Sequence, residues 1–295
     1  MKKIYSILII LFCVASAKAQ NTLTNNDINY KSASYNSSYI VEDTNRLVLN
    51  LSTSLANNLQ ETSRLHFLVY GNLTKLGLGI GAKVNSQFKD FYKTTTAEVL
   101  ISKKVVISEG HNLNFGLNMG IHFSGVNMNF FNDYVDKSDA DIQSFQDKFR
   151  FMTGAGLSYT WQRGFKIGFS MPELIKTENK FYPTMFVDAS FRQTFLESKK
   201  LYLEPAVLFY TTDIVPITFE GTLKVGYQDF AWFKFGGRST KTILIGAGGG
   251  YNFINIGYMY NRNFEDYAMI NQSQHNINVY FNFLQTKKKV KQKKI

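Results

Sequence analysis

The stretch Asn112-Leu113-Asn114-Phe115-Gly116-Leu117-Asn118-Met119-Gly120-Ile121-His122-Phe123 alternates apolar residues with polar or small ones without a break. Successive side chains of a β-strand point to opposite faces, so this run has one greasy face and one polar face. The same alternation sets Ile217, Phe219, Gly221, Leu223, Val225 and Tyr227 against Thr218, Glu220, Thr222, Lys224 and Gly226. Near the end, Ile277, Val279, Phe281 and Phe283 alternate with Asn276, Asn278, Tyr280 and Asn282. Carried along the chain, the pattern predicts about fourteen strands, at 46–55, 63–72, 75–85, 92–101, 112–123, 150–161, 164–171, 184–195, 200–209, 217–227, 230–237, 241–252, 254–262 and 275–283.

The connections sort by parity. Those at 124–149, 172–183 and 263–274 are long and follow odd-numbered strands, whereas 73–74, 162–163, 196–199 and 228–229 are short and follow even-numbered ones. Short turns on one side and long loops on the other are the pattern of an outer-membrane barrel. The connection at 102–111 fits only if the fourth strand runs on through Val105 to Ile107.

The expected fold is therefore all-β, a transmembrane antiparallel barrel of about 14 strands of the outer-membrane type. A soluble β-sandwich also alternates, but it needs a polar outer face and does not arrange this many up-and-down strands with such loop parity. The composition agrees: 26 Phe and 17 Tyr against 4 Pro favour strands. Beyond the N-terminus no apolar run is long enough for a membrane helix, so any spanning must be by a closed barrel. Pro205 cannot donate to a ladder, and inside a predicted strand it marks a bulge or a strand end. If the polar members face a lumen, arginine should be tolerated far better at Asn118 than at Leu117.

Both ends differ from the body. Residues 1–19 have the form of a secretory signal, with Lys2 and Lys3, an apolar stretch from Ile4 to Val14, and Ala17-Lys18-Ala19 as the cleavage site. Residues 20–45, rich in Asn, Ser and Tyr, predict an irregular periplasmic arm or plug, and 46–285 the barrel. Residues 286–295 form a basic tail. The formal charge of +11 divides accordingly: +3 in the signal, +6 in the tail and +2 between them, which removes nucleic acid as the obvious partner. The one cysteine, Cys13, lies in the apolar stretch, so a mature chain would have neither a disulfide nor a thiolate site.

Motifs for chemistry are absent. Gly77-Leu78-Gly79-Ile80-Gly81 and Gly246 to Gly250 resemble phosphate loops, but Ala82 and Tyr251 stand where G-x-G-x-x-G requires glycine. Glycine in barrel strands instead permits bending or close packing. His66, His111, His122 and His275 are too scattered for a zinc site, and His122 and His275 are assigned to polar faces. The loop carboxylates Asp133, Asp136, Asp139, Asp141 and Asp147 lack EF-hand spacing, since Ser144 and Arg150 occupy the glycine and glutamate positions counted from Asp139. No catalytic, cofactor-binding or metal-binding residue is named, and the chain is expected not to be an enzyme.

Short stretches in a fixed order resemble the PorP/SprF family: Lys75-Leu76-Gly77-Leu78-Gly79-Ile80-Gly81, Leu113-Asn114-Phe115-Gly116-Leu117, Gly154-Ala155-Gly156-Leu157-Ser158-Tyr159 and Gly168-Phe169-Ser170-Met171-Pro172. Gly236-Gly237-Arg238, Gly257-Tyr258-Met259-Tyr260-Asn261 and Ser273-Gln274-His275-Asn276-Ile277 extend the resemblance toward the C-terminus. Asn261 and Asn276 stand where family members often have Asp and Glu, and the expected N-P-A-Y-A-G stretch is reduced to Asn36-Ser37-Ser38-Tyr39. The resemblance implies an outer-membrane component of the type IX secretion system of Bacteroidota that serves export or anchoring of surface adhesins, including those used in gliding. Its partners would be outer-membrane lipid, other type IX components and a secreted surface protein. It brings no enzymatic centre. A passive outer-membrane channel or small-molecule transporter is the alternative, and an outer-membrane enzyme comes third.

Overall fold

The computed structural model describes residues 28–42, 45–56, 62–89, 92–126, 148–175, 184–195, 200–211, 217–228, 230–251, 253–264 and 272–283. The signal, the aspartates of the long loop after Val126 and the basic tail lie outside the described residues.

The strands are β1 Arg46–Ala56, β2 Thr62–Leu73, β3 Leu78–Lys89, β4 Tyr92–Ser108, β5 His111–Val126, β6 Lys148–Trp161, β7 Phe165–Ile175, β8 Thr184–Phe191, β9 Gln193–Phe195, β10 Leu201–Thr211, β11 Thr218–Tyr227, β12 Ala231–Arg238, β13 Thr242–Tyr251, β14 Ile254–Asn263 and β15 Gln272–Asn282. Apart from β8 and β9, each is antiparallel to its sequence neighbours. β8 and β9 are consecutive pieces of one strand, since both pair with β10. β1 pairs with β15 from Arg46↔Asn282 to Ala56↔Gln272, which closes a barrel of 14 strands and leaves no sheet edge.

The alternation decides which face is which. Phe115, Leu117, Met119, Ile121 and Phe123 are exposed on the outside, while Asn112, Asn114 and Asn118 are buried inside. Leu117 is 58% exposed and Asn118 only 6%, the inverse of a soluble protein. An apolar outer band with a polar interior is the arrangement that hydrocarbon requires of a barrel. Aromatic residues crowd the two ends of that band. Tyr227, Phe230, Tyr251 and Phe253 are exposed at the short-turn end, and Phe88, Phe149, Phe151 and Phe264 at the other. Cations sit over rings at these rims: Arg163 over Trp161 at 4.9 Å, Lys93 over Phe88 at 5.1 Å and Arg262 over Phe264 at 5.3 Å.

Several boundaries depart from the periodicity, among them the ends of β3, β7 and the start of β15, and three departures have a visible cause. β4 extends to Ser108 and meets β5 through the turn Glu109–Gly110, with Gly110 at φ +80°, so the awkward connection at 102–111 becomes a tight turn. β3 begins at Leu78, because Gly77 takes φ +57° and Leu76 and Gly77 donate backwards to the carbonyls of Leu73 and Thr74. The expected strand 184–195 divides at Arg192, and the cause lies in its neighbour. Pro205 sits within an unbroken β10, and pairing toward β8 and β9 lapses beside it, between Ala206↔Ser190 and Leu203↔Gln193.

Candidate functional site

Residues 28–42 occupy the barrel interior. The α-helix α1, Ile28–Tyr35, leads through Asn36 into a 3-10 turn, Ser37–Val41, and the chain then reaches β1. Residues 20–45 were expected to form an irregular periplasmic arm or plug; Ile28–Tyr35 and Ser37–Val41 are helical with Asn36 extended between them, and from Asn36 to Val41 every residue is buried.

Asn36 organises the turn. Its Oδ1 accepts from the Ser38 backbone N at 3.1 Å and from Ser38 Oγ at 2.7 Å, the side-chain cap that a helical start needs. Its Nδ2 donates to the carbonyls of Leu157 on β6 and Phe169 on β7, at 3.2 and 3.3 Å. Ser158 Oγ on β6 lies 2.8 Å from Ser38 Oγ and shares a hydrogen bond with it, and the Tyr39 hydroxyl donates to Asp188 Oδ2 on β8 at 2.6 Å.

The wall makes room for this segment with glycine. A Cβ at Gly116 would overlap the Ser38 nitrogen, one at Gly156 would overlap Asn36 Oδ1, and one at Gly168 would overlap the Tyr39 hydroxyl. At Gly79 it would lie 3.0 Å from Ile40. Gly116 and Gly156 are register partners across β5 and β6, and Gly168 opposes Ser158 across β6 and β7. The glycines therefore form a continuous trough. Ile40 closes its lower side against Val48, Leu68, Tyr70, Leu100 and Tyr280.

Polar bonds fasten both ends of the plug. Below, the Asn72 amide donates to the Val41 carbonyl, the Asn72 backbone N donates to Asn45 Oδ1 at 2.6 Å, and Lys104 Nζ pairs with Glu42 at 3.1 Å. Above, Lys83 Nζ donates to the Ser34 carbonyl at 2.9 Å and pairs with Glu98 at 2.8 Å. Asn118 Nδ2 donates to the same Glu98 at 2.7 Å and to the Pro172 carbonyl at 2.9 Å. Tyr35 stacks on Phe186 at 5.0 Å, and Phe186 on Tyr210 at 5.9 Å. Over Ser34 and Tyr35 opens a cavity of about 220 Å³ toward the long-loop end, lined by Arg64, His66, Lys83, Glu98 and His122 among others.

The histidines divide between faces. His66 and His122 line that cavity. His275, assigned to a polar face from sequence, is on the outer one: it shares parity with Ile277 and bonds Tyr258, itself exposed, at 2.6 Å. Asn276, Asn278 and Tyr280 take the interior positions beside it. His111 is stacked on Trp161 at 5.5 Å. Among the described residues no three His, Cys, Asp or Glu side chains converge as a metal site would require. Both glycine clusters serve close packing: Gly79 takes the plug, and Gly248 lies under the Trp232 ring.

The trough was missed from sequence, although one signal was available. Gly116, Gly156 and Gly168 all fall on the inward phase of their strands, at positions where a lumenal wall usually carries polar side chains, and together they mark a close approach.

A closed apolar-belted barrel with an internal plug defines an outer-membrane β-barrel protein. The sequence matches the family of type IX secretion system membrane proteins PorP/SprF over residues 20–281, and the chain belongs to that family. It is thus an outer-membrane protein associated with type IX secretion. No curated protein matches it. Barrels of known structure resemble it distantly. The toluene transporter TodX of Pseudomonas putida has 8% identity and a TM-score of 0.49, over 89% of this chain and 94% of that one. Omp33 of Acinetobacter baumannii has 6% identity and a TM-score of 0.48, over 81% and 99%. BamA of Haemophilus ducreyi lacking POTRA domains 1–3 has 8% identity and a TM-score of 0.43, over 81% and 71%.

Proposed function

We propose that this barrel is an accessory of the type IX machinery that assists secretion or surface anchoring of a specific partner protein, such as an adhesin, including one used in gliding. The observation that carries the proposal is the seated plug: Asn36 to Val41 occupy the β2–β8 side of the lumen, which suits a docking component better than a passive channel. Outer-membrane lipid surrounds the apolar belt, and the long-loop end, which bears the cavity, faces outward. The chain has no catalytic role in this proposal.

The test is a deletion strain compared with its parent and a complemented strain, by surface and medium proteomics. The expected result is loss of one or a few surface proteins with other type IX substrates retained. Unchanged cargo with reduced solute permeability would overturn the proposal in favour of transport.

A further inference from the structure

The trough reads its occupant residue by residue. Asparagine is selected by the paired carbonyls of Leu157 and Phe169, and tyrosine by the Asp188 carboxylate. The two positions between must be small, because Gly116 lies directly against Ser37 and Ser38 and the wall there is bare backbone. We propose that this trough is a peptide-binding site for a segment of the form asparagine, two small residues, tyrosine, held in cis by Asn36–Tyr39 and open to a segment of the same chemistry from a partner chain. This does not depend on the secretion reading.

The cis fit leaves bonding capacity unused. Ser102 Oγ, Ser170 Oγ, Asn114 Oδ1 and Asp188 Oδ1 on the wall, and Ser37 Oγ on the plug, are buried without a hydrogen-bond partner among the described residues. A buried polar group left unpaired carries its desolvation cost uncompensated, so a segment that supplies those bonds gains over the resident one. The resident has the advantage of attachment. A short tether gives an effective concentration on the order of millimolar, so a free competitor must reach that range, whereas one delivered to the barrel by a docked partner does so locally. Exchange is thereby restricted to chains brought to the membrane.

The experiment uses the full chain with Cys13→Ser and Ser37→Cys, folded in liposomes. Ser37 is 4% exposed and makes no side-chain bond, and cysteine is the smallest replacement that puts a thiol there, so its labelling rate reports seating. Maleimide labelling should be slow, and a synthetic peptide of residues 28–42 at about 1 mM should accelerate it about tenfold. The same peptide carrying Asn36→Ala and Tyr39→Phe should not. An unchanged rate with the native peptide, or equal acceleration by the substituted one, overturns the proposal. Independently, the fluorescent native peptide should bind the otherwise unaltered chain and fail to bind Gly156→Ala, in which the new Cβ would overlap the asparagine amide oxygen. Equal binding to both also overturns it.

Discussion

The two sides of the barrel interior use the same residue in opposite ways. Between β3 and β7, inward glycines at 79, 116, 156 and 168 leave space that a separate segment fills. Between β11 and β14, a Cβ at Gly226 would meet Tyr202, one at Gly246 would meet Met259, and ones at Gly248 and Gly257 would meet Trp232, so the wall fills its own space. Trp232, Leu244 and Met259 form a small apolar cluster there. The ion pair of Arg238 with Glu220 is also buried on this side. Glycine in a lumenal wall thus signals close approach, and only the identity of the approaching atoms separates a docking site from a packed core.

The comparison presupposes that the two faces of the sheet are correctly assigned, and the largest expected effect tests that. Leu117→Arg on the outer face should cost about 2–4 kcal/mol if it lies near the bilayer midplane. Asn118→Arg tests the other face, and here the expectation of ready tolerance is corrected: Asn118 is buried and bonds both Glu98 and the Pro172 carbonyl, so about 1–3 kcal/mol is expected from overpacking and the lost bonds. Urea unfolding in lipid vesicles followed by Trp fluorescence measures both. Negligible cost at Leu117 would invert the assignment.

The next effect falls on the plug. Tyr39→Phe removes the hydroxyl from a buried carboxylate and should cost about 1.5–3 kcal/mol, read as easier protease access to residues 28–42 before the barrel itself unfolds. If the plug and barrel lost stability together with no early cleavage, the two would be one cooperative unit.

The smallest pair addresses the glycines directly. Gly116→Ala meets backbone atoms of Ser37 and Ser38 that cannot step aside, so about 1–3 kcal/mol and an unseated plug are expected. Gly246→Ala meets the Met259 sulfur first, the end of a flexible side chain, and should cost under about 1.5 kcal/mol. Equal losses in thermal unfolding would erase the distinction drawn between the two sides.

The strands were legible because hydrocarbon outside and polar groups inside impose a period of two on long runs such as 112–123. The seat of the plug in the wall was not, for a physical reason. Its recognition is made by Asn36 to the main-chain carbonyls of Leu157 and Phe169, and a carbonyl is the same in every residue, so the wall's side of that bond leaves no mark in sequence. His275 shows a second limit. One residue of phase decides a face, and a polar residue near the end of a strand on the outer face looks like an inner one. Pro205 shows a third, because its missing donor interrupts the neighbouring strand and not the strand that contains it.

The bond between Tyr39 and Asp188 spans 149 residues, and that separation orders assembly. The plug precedes every strand in the chain, and although Asn72 on β2 and Lys83 on β3 can hold it early, the partners of Asn36 and Tyr39 lie on β6 to β8, so those bonds wait until about half of the wall exists. Its seat is a sheet that has not yet become a tube, since the closing seam between β1 and β15 is made by the last strand. Contacts this distant in sequence slow folding because their closure entropy comes due before any reward. The first described segment of the chain is therefore among the later ones to find its place.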